Sequence, residues 1–346
     1  MTVLQKNILK TVSISLPLIG LALWAKAYFL VPIILLVIFL IIHRREINAI
    51  QRAIDLLPQR VKYLVSVAIC VALGIGIGAY IIAFVTDIDI YTSISTGKSR
   101  ICFIDKLKYG SVIDKETRSC ALGDIQRGNN AIIAIGDTTK TVLRIAAIPG
   151  DEISIVDGCA IVNGTSDYEV ASAYAPFHVF HNTPLRIVHL IGRYTNELVD
   201  SAFRTSASVN PQCTLPVKEI YDNYRQYTYS VLHKNSTDER IFPYTANNNG
   251  LQMHPIHLPS QGETITFSKK NRHYLVPLIN KYEDKNISID KNGNVLSTNN
   301  TILHQYTFKY NYYFVLNDNR TILADSRLWG PIPEYQIIGS TSNISQ

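Results

Sequence analysis

Side chains able to do chemistry are plentiful in this 346-residue chain, but few of them are spaced for a known reaction. Five cysteines, Cys70, Cys102, Cys120, Cys159 and Cys213, form no CxxC pair and no metal-ligand spacing. Cys70 lies inside an apolar run, so at most four can pair outside a membrane. They read as buried free thiols or as one loose disulfide, because free cysteine packs as a small hydrophobe. His254 and His257 stand close together, yet Pro255 lies between them and no carboxylate or thiol is near in sequence. That pair reads as a solvated loop rather than a metal site. Ser93 and Ser95 stand two apart with Lys98 just beyond, which taken alone is a Ser/Thr-rich turn after a helix. No nucleotide loop, metal cluster or cofactor signature appears, so no cofactor and no metal are expected. The net charge of +6 comes from scattered basic residues, which argues against the clustered stripe that binds nucleic acid.

The elements that would position such groups fall into an apolar quarter and a β-rich remainder. Val61–Val85 is interrupted only by Lys62, long enough for a hydrocarbon core of ~30 Å. Thr11–Ile42 is apolar apart from Lys26, and as one helix it would be about 48 Å long, too long for one span. A hairpin turning at Ala25–Lys26–Ala27 fits, and so does a single span from about Ala27, since Pro17 sits in the first arm. No A-x-A-like cleavage site precedes a soluble domain, so these runs are expected to be retained. Arg44, Arg45, Arg52, Arg60 and Lys62 lie between the second and third runs, and short basic loops stay cytoplasmic. The expected organisation is therefore a membrane hairpin or single span with a basic cytoplasmic loop over 1–62, a transmembrane helix over 63–86, and an exterior-facing remainder.

In that remainder, Ser99–Asp105, Ala131–Ile135 and Val142–Ile148 alternate apolar and polar residues, the period of a half-buried strand. Gly150–Gly164 holds Asp157–Gly158 between two alternating runs, a strong hairpin signal. A related pattern returns around Asn292–Gly293, and Tyr310–Leu316 is aromatic and β-branched enough for a buried strand. Between about Thr165 and Gln261 the alternation fades, with helix-like patches at Leu185–Phe203 and Val217–Arg225. This stretch reads as an insertion in a β core formed by 87–164 and 262–346.

The most specific feature is Asn317-Asp-Asn-Arg-Thr-Ile-Leu-Ala-Asp-Ser-Arg-Leu-Trp-Gly-Pro-Ile-Pro-Glu334. It resembles the last signature box of the type I signal peptidases, GDNRxxSxDSRxWGxxPE. Arg144-Ile-Ala-Ala-Ile-Pro-Gly-Asp151 is similar to the family's KRVxGxPGD, and the hairpin ending Val162–Asn163–Gly164 follows it as in the family. Gly123–Gly128 and Lys106–Gly110 resemble two further boxes, and 262–282 looks like the form found in Bacteroidetes. The resemblance implies a mainly β fold: a signal-peptidase-like antiparallel β domain with an inserted α+β or irregular region, preceded by N-terminal transmembrane helices.

In that family a serine hydroxyl attacks the scissile carbonyl, and a lysine kept neutral by burial removes its proton. By resemblance Ser95 would be the nucleophile and Ser93 the oxyanion donor. Thr92, Ile94 and Thr96 depart from the family box, and Ser95 lies eleven positions before Lys106, fewer than the family pattern spans. Aligned on Arg144 and Asp151, the lysine position holds Leu143, which has no proton-accepting atom. Lys140 and Lys98 are the substitutes within reach of the sequence, though Lys140 is an odd step away on the strand. Leu323 stands where the family has a serine that orients the lysine, and Asn317 replaces a glycine. Asp325 and Arg327 are retained and are expected to form a buried ion pair, with Arg144 and Asp151 also serving structure. The residues that serve the fold remain while those that serve proton transfer have gone.

The residues allow three readings. The first is an active serine endopeptidase with a rearranged dyad. The second is a silent relative that binds presequences or a membrane partner. The third is a membrane-tethered module with no peptide site. The favoured one is a protein acting on signal peptides of exported preproteins, with peptidase activity weak or lost. Expected partners are signal peptides or preproteins and membrane lipid, not nucleic acid. The expected location is the bacterial inner membrane, multi-pass, with the carboxy-terminal domain outside.

Overall fold

Alternating sequence becomes antiparallel sheet through most of the chain. The computed structural model describes residues 44–84, 86–92, 99–119, 121–136, 139–166, 173–179, 212–224, 228–230, 241–243, 250–320 and 322–341. The first apolar run, Leu185–Phe203 and Ser93–Lys98 lie outside the described residues. The chain divides into two units.

The first unit holds α1 (Arg44–Asp55), α2 (Gln59–Phe84), all but the last two residues of β1 (Thr86–Thr92), all but the first two of β2 (Ser99–Asp105) and the short α3 (Lys106–Tyr109). Gln59–Gly76 within α2 is long and apolar enough to cross a membrane by length and composition, with a mean hydropathy of 1.4. Asp105 caps α3 by accepting from the Lys108 amide at 3.1 Å. Gly110 ends it at φ 75, where any side chain would collide with the Ser119 carbonyl. The Lys106–Gly110 box is thus a capped turn following a strand, held from behind by the Arg118 guanidinium on the Tyr109 carbonyl at 2.8 Å.

The second unit carries the β core. Strands β3 (Asn130–Ile135) and β4 (Thr139–Ala147) pair with Ala131 opposite Leu143. The hairpin β5 (Glu152–Val156) and β6 (Cys159–Val162) turns at Asp157–Gly158, both at positive φ, 52° and 78°, as a two-residue turn between right-twisted strands requires. Strands β7 (Tyr174–Val179), β8 (Gln212–Pro216) and β9 (Thr228–Ser230) form a small sheet in the order β8-β7-β9, with α4 (Val217–Tyr224) following β8. Strand β10 (Met253–His257) pairs with β5, so His254–His257 is strand rather than the loop expected. Its pairing to a second strand comes from tertiary register, which the Pro255 in its middle obscures; the register slips between Met253 and Ile256.

Strand β11 (Thr264–Thr266) leads to α5 (Arg272–Tyr282), whose Tyr274, Leu275, Leu278, Ile279 and Tyr282 are buried. Strands β12 (Ser288–Ile289), β13 (Val295–Leu296) and β14 (Ile302–Leu303) make a meander, and β15 (Gln305–Thr307) pairs with β11. The turn before β13 is longer than Asn292–Gly293 alone: Asp290 accepts from the Asn294 amide at 2.7 Å, and Gly293 takes φ 81. Strand β16 (Tyr312–Leu316) is buried at every position and pairs with β4, while β17 (Ile332–Pro333) flanks it after the short α6 (Ser326–Trp329). Strand β18 (Ile337–Ser340) closes the chain in the first unit, with Ser340 opposite Asp105.

Gly158 makes this hairpin specific. A Cβ there would lie 2.9 Å from Leu251 Cδ2 and 3.0 Å from Ala175 Cβ, besides the strain of φ 78. Gly164 has φ 81 but open space around it. Gly158→Ala is therefore expected to destabilise by about 2–3 kcal/mol and Gly164→Ala by only about 1 kcal/mol, read by thermal or urea unfolding in detergent.

Candidate active site

The carboxy-terminal box is held by β16, which delivers Asn317–Arg320 from a fully buried strand, and by α6, which begins immediately after Asp325. Asp325 is 0 % exposed and Arg327 1 %. The Asp325 carboxylate accepts from the Arg327 guanidinium at 2.7 Å (Nη2) and 3.0 Å (Nε), from the Arg327 amide at 2.9 Å, and from the Asn317 amide at 2.9 Å. The rest of the Arg327 fork reaches the carbonyls of Gly250 and Arg320, both at 2.8 Å, and of Ile322 at 2.5 Å. Ser326 accepts from the Val315 amide at 3.0 Å and so ties α6 back to β16.

A second ion pair fastens the box to the β4 strand. Arg144 meets Asp318 with two parallel bonds, 2.7 and 2.6 Å, and its remaining nitrogen bonds the Gly128 carbonyl at 2.6 Å. Asp151 is buried and engaged by Arg127, by the Ile148 amide at 2.8 Å and by the Asn163 side chain at 3.0 Å. Arg320 spans to the β5–β6 turn, bonding the Gly158 carbonyl at 3.0 Å. All four retained box residues, Asp325, Arg327, Arg144 and Asp151, thus sit in bidentate or multiply bonded pairs. Their partners Arg127, Asp318 and Arg320 were not assigned roles from sequence. All three lie in boxes the sequence displays, but no spacing rule says which charges meet.

The position that would supply a base is different. Leu143 is 2 % exposed on the face of β4 that also buries Thr141 and Ile145. Ala131 and Ile133 of β3 stand opposite Leu143 and Thr141, and Val315 of β16 stands opposite Ile145. All three are fully buried, so apart from the Thr141 hydroxyl on the same face the surroundings are hydrocarbon. Lys140 is exposed, opposite Ala134, on the other side of the strand from Leu143. Ser93, Ser95 and Lys98 lie outside the described residues, so the described half of the dyad is the strand that carries Leu143 and Lys140. Leu323 packs over Gly250, where a side chain would collide with it.

No group of three or more His, Cys, Asp or Glu side chains able to hold a metal occurs among the described residues. His257 does have a carboxylate neighbour, contrary to the expectation from sequence: its Nε2 lies 2.7 Å from Glu263 Oε1. Chain reversal at Pro259–Gly262 brings the two together, and Glu263 Oε2 also accepts from the Ser260 amide at 2.8 Å. His273 is held more readily neutral than usual, first by burial and then by the nearby His254 and Arg272. Tyr312 and Tyr306 have their phenol pKa values raised, first by burial and then by Glu283, the fully buried acid to which both donate, at 2.7 and 3.1 Å. Tyr335 is pushed up to about 12, first by burial and then by Tyr310, Asp284 and Glu283.

The family model described as signal peptidase, peptidase S26 matches residues 257–345. Over these residues the chain is similar to the S26 signal peptidases. The match takes in α5, β16 and the whole box from Asn317 to Glu334, and it stops short of Leu143 and of the Ser93–Ser95 stretch. Comparison with curated proteins gave no match.

Two outcomes are expected from this geometry. Asp325→Asn removes one partner of a buried ion pair and should cost about 3–5 kcal/mol of unfolding free energy, read by denaturant titration. For His273 the depressed folded-state value means the unfolded chain takes up the proton first, so stability falls as pH drops through the unperturbed 6.5. His273→Gln should therefore flatten the decline in melting temperature between pH 7 and pH 5, and an unchanged slope would refute the assignment.

Proposed function

We propose that this chain is a membrane-anchored, signal peptidase I-like protein that engages signal peptides of exported preproteins and whose serine endopeptidase activity is weak or absent. The observation that carries this is the burial of Leu143, which stands where the resemblance implies the lysine, next to an Arg144–Asp318 pair that fixes the register. Loss of a positioned base removes roughly 10²–10⁴-fold in rate. Lys140, on the opposite face of β4, is poorly placed to substitute for it.

Helix α2 is read as a membrane span, supported by its apolar sequence and by exposed Leu64, Val67, Ile69, Leu73 and Ile75 around it. With a second apolar stretch before it, the protein would be multi-pass in the inner membrane. The basic residues between Arg44 and Lys62 keep their side cytoplasmic and place the β domain outside. Residues 165–261 are read as an insertion borne by the β core. A non-catalytic presequence-binding role is the second reading. It is favoured by the intact Asp325–Arg327 and Arg144–Asp318 pairs, which preserve the fold that would present a peptide without requiring chemistry.

The test is cleavage of a preprotein in detergent by the unmodified protein and by Ser95→Ala, Leu143→Lys and the double variant. The unmodified protein is expected to cleave no faster than Ser95→Ala. Leu143→Lys should gain about 10²-fold or more, because its hydrocarbon surroundings would hold the amine neutral, and the gain should vanish in the double variant. Cleavage by the unmodified protein that disappears in Ser95→Ala would defeat the reading.

A further inference from the structure

Helix α1 takes no part in the serine–lysine chemistry, and its surface is two-sided. Ile47, Ile50 and Ile54 recur at steps of three and four, which puts them on one face of the helix. Ile50 is 59 % exposed, Ile47 and Ile54 are half-buried, and Leu57, three residues after Ile54, is exposed. Asn48, Gln51, Arg52 and Asp55 are exposed on the rest of the helix. An exposed apolar row of this kind is suited to contact with an apolar phase.

The junction with α2 indicates what covers it. Only Leu56, Leu57 and Pro58 separate α1 from the first residue of α2. The Leu57 amide still bonds the Ile54 carbonyl at 3.1 Å, and the Val61 amide bonds the Pro58 carbonyl at 2.9 Å, so the turn between the helices is short and internally bonded. Lys62 Nζ lies 3.9 Å from Asp55, across the same turn. The apolar row of α1 therefore runs directly into an apolar helix. Over residues 44–62 the chain carries five basic residues (Arg44, Arg45, Arg52, Arg60, Lys62) and two acidic ones (Glu46, Asp55), a surplus suited to anionic headgroups.

We propose that α1 lies in the surface of the anionic leaflet that α2 enters, with Ile47, Ile50 and Ile54 among the upper acyl chains and Arg52 at the phosphate level. A short helix with one apolar face, a charged opposite face and little net hydrophobicity partitions to this depth and does not cross. Pro58 breaks the helical path between the two elements. The surface helix then sets the depth at which α2 begins. The proposal rests on the reading of α2 as a membrane span.

The test uses the full-length chain in nanodiscs containing about one-third phosphatidylglycerol, a share that gives the leaflet a strong negative surface potential. A nitroxide is placed at Ile50→Cys, Asn48→Cys or Leu73→Cys, with the native cysteines replaced by alanine. Accessibility to oxygen, which partitions into lipid, is compared with accessibility to an aqueous nickel complex. The expected result is a lipid-type ratio at Ile50 and Leu73, a water-type ratio at Asn48, and loss of the Ile50 signature in phosphatidylcholine alone. Equal nickel accessibility at Ile50 and Asn48 with Leu73 still shielded would overturn the surface helix and leave the span reading intact. Nickel accessibility at Leu73 would instead defeat the span reading and the proposal with it. Shielding of Ile50 from both reagents in both lipids would mean that protein covers the face, which also overturns the proposal. Amide exchange on the unmodified chain provides a check free of substitutions: α1 amides should exchange more slowly in the anionic discs than in the neutral ones, and equal rates would count against it.

Discussion

Asp325 is wholly buried, and both of its carboxylate oxygens are occupied by donors from the chain: the guanidinium and amide of Arg327 and the amide of Asn317. A carboxylate in that position cannot be left unpaired, because the several kcal/mol lost on desolvation return only when geometry and hydrogen bonds are complete. The consequences spread outward through Arg327, whose guanidinium bonds the Gly250 carbonyl before β10 and the Arg320 and Ile322 carbonyls of the box itself, as well as the acid. One buried pair therefore fixes the end of β16, the start of α6 and the chain entering β10. Arg320, held by the same set, carries the constraint on to the β5–β6 turn at Gly158, where a backbone carbonyl meets it and a side chain would not fit.

The same network reaches into the stretch that sequence reading treats as an insertion. The Tyr174 amide bonds the Asp318 carbonyl at 2.7 Å, the Arg320 amide bonds the Tyr174 carbonyl at 2.6 Å, and the Phe242 amide bonds the Arg327 carbonyl at 2.8 Å. Backbone bonds of this kind carry no side-chain signature. Tyr174 and Phe242 lie in sequence with no clear alternation, so nothing in their neighbours tells that they brace the box. By contrast, the elements built on local pattern were legible. Asp157–Gly158 demanded a tight hairpin because two adjacent residues at positive φ suit that turn. The run Tyr312–Leu316 had to be buried because nothing in it can face water at low cost. Arg272–Tyr282 is helical despite Pro277, its apolar positions meeting the core on one side. What the sequence withheld was tertiary pairing: Arg144 with Asp318, Arg127 with Asp151 and His257 with Glu263 join residues whose partners no period or spacing selects. The strand at Met253–His257 was hidden for the same reason, since a proline in a short polar-flanked run carries the marks of a loop until β5 lies beside it.

Strand β4 separates two demands by a single residue. Arg144 turns to the side where Asp318 waits, and Leu143 turns to the face that buries Ala131, Ile133 and Ile145. Because strand side chains alternate, the two positions can change independently. A basic residue at 144 is held by its ion pair, whereas an amine at 143 would have to be kept neutral at the cost of dehydrating it. Leucine there removes that cost and adds buried hydrocarbon, at roughly 25 cal/mol per Å² of apolar surface. Stability alone would thus favour the leucine, and only a requirement for proton transfer would oppose it.

Thr141 lies on the same buried face of that strand. It is 3 % exposed, it shares the buried face with Leu143 two residues away, and its hydroxyl has no hydrogen-bond partner among the described residues. An unpaired buried hydroxyl costs about 1–3 kcal/mol, and valine of nearly the same shape would avoid the cost. A strand optimised only for packing has no use for the oxygen. On the proposed reading, in which Leu143 stands at the lysine position, the hydroxyl would be a polar neighbour of that amine. The contrast with Asp325 is then one of connectivity. The Asp325 carboxylate, filled by the Asn317 amide and the Arg327 side chain and amide, cannot be released without a large loss of stability, whereas the Thr141 hydroxyl, with no partner among the described residues, persists at a tolerable cost.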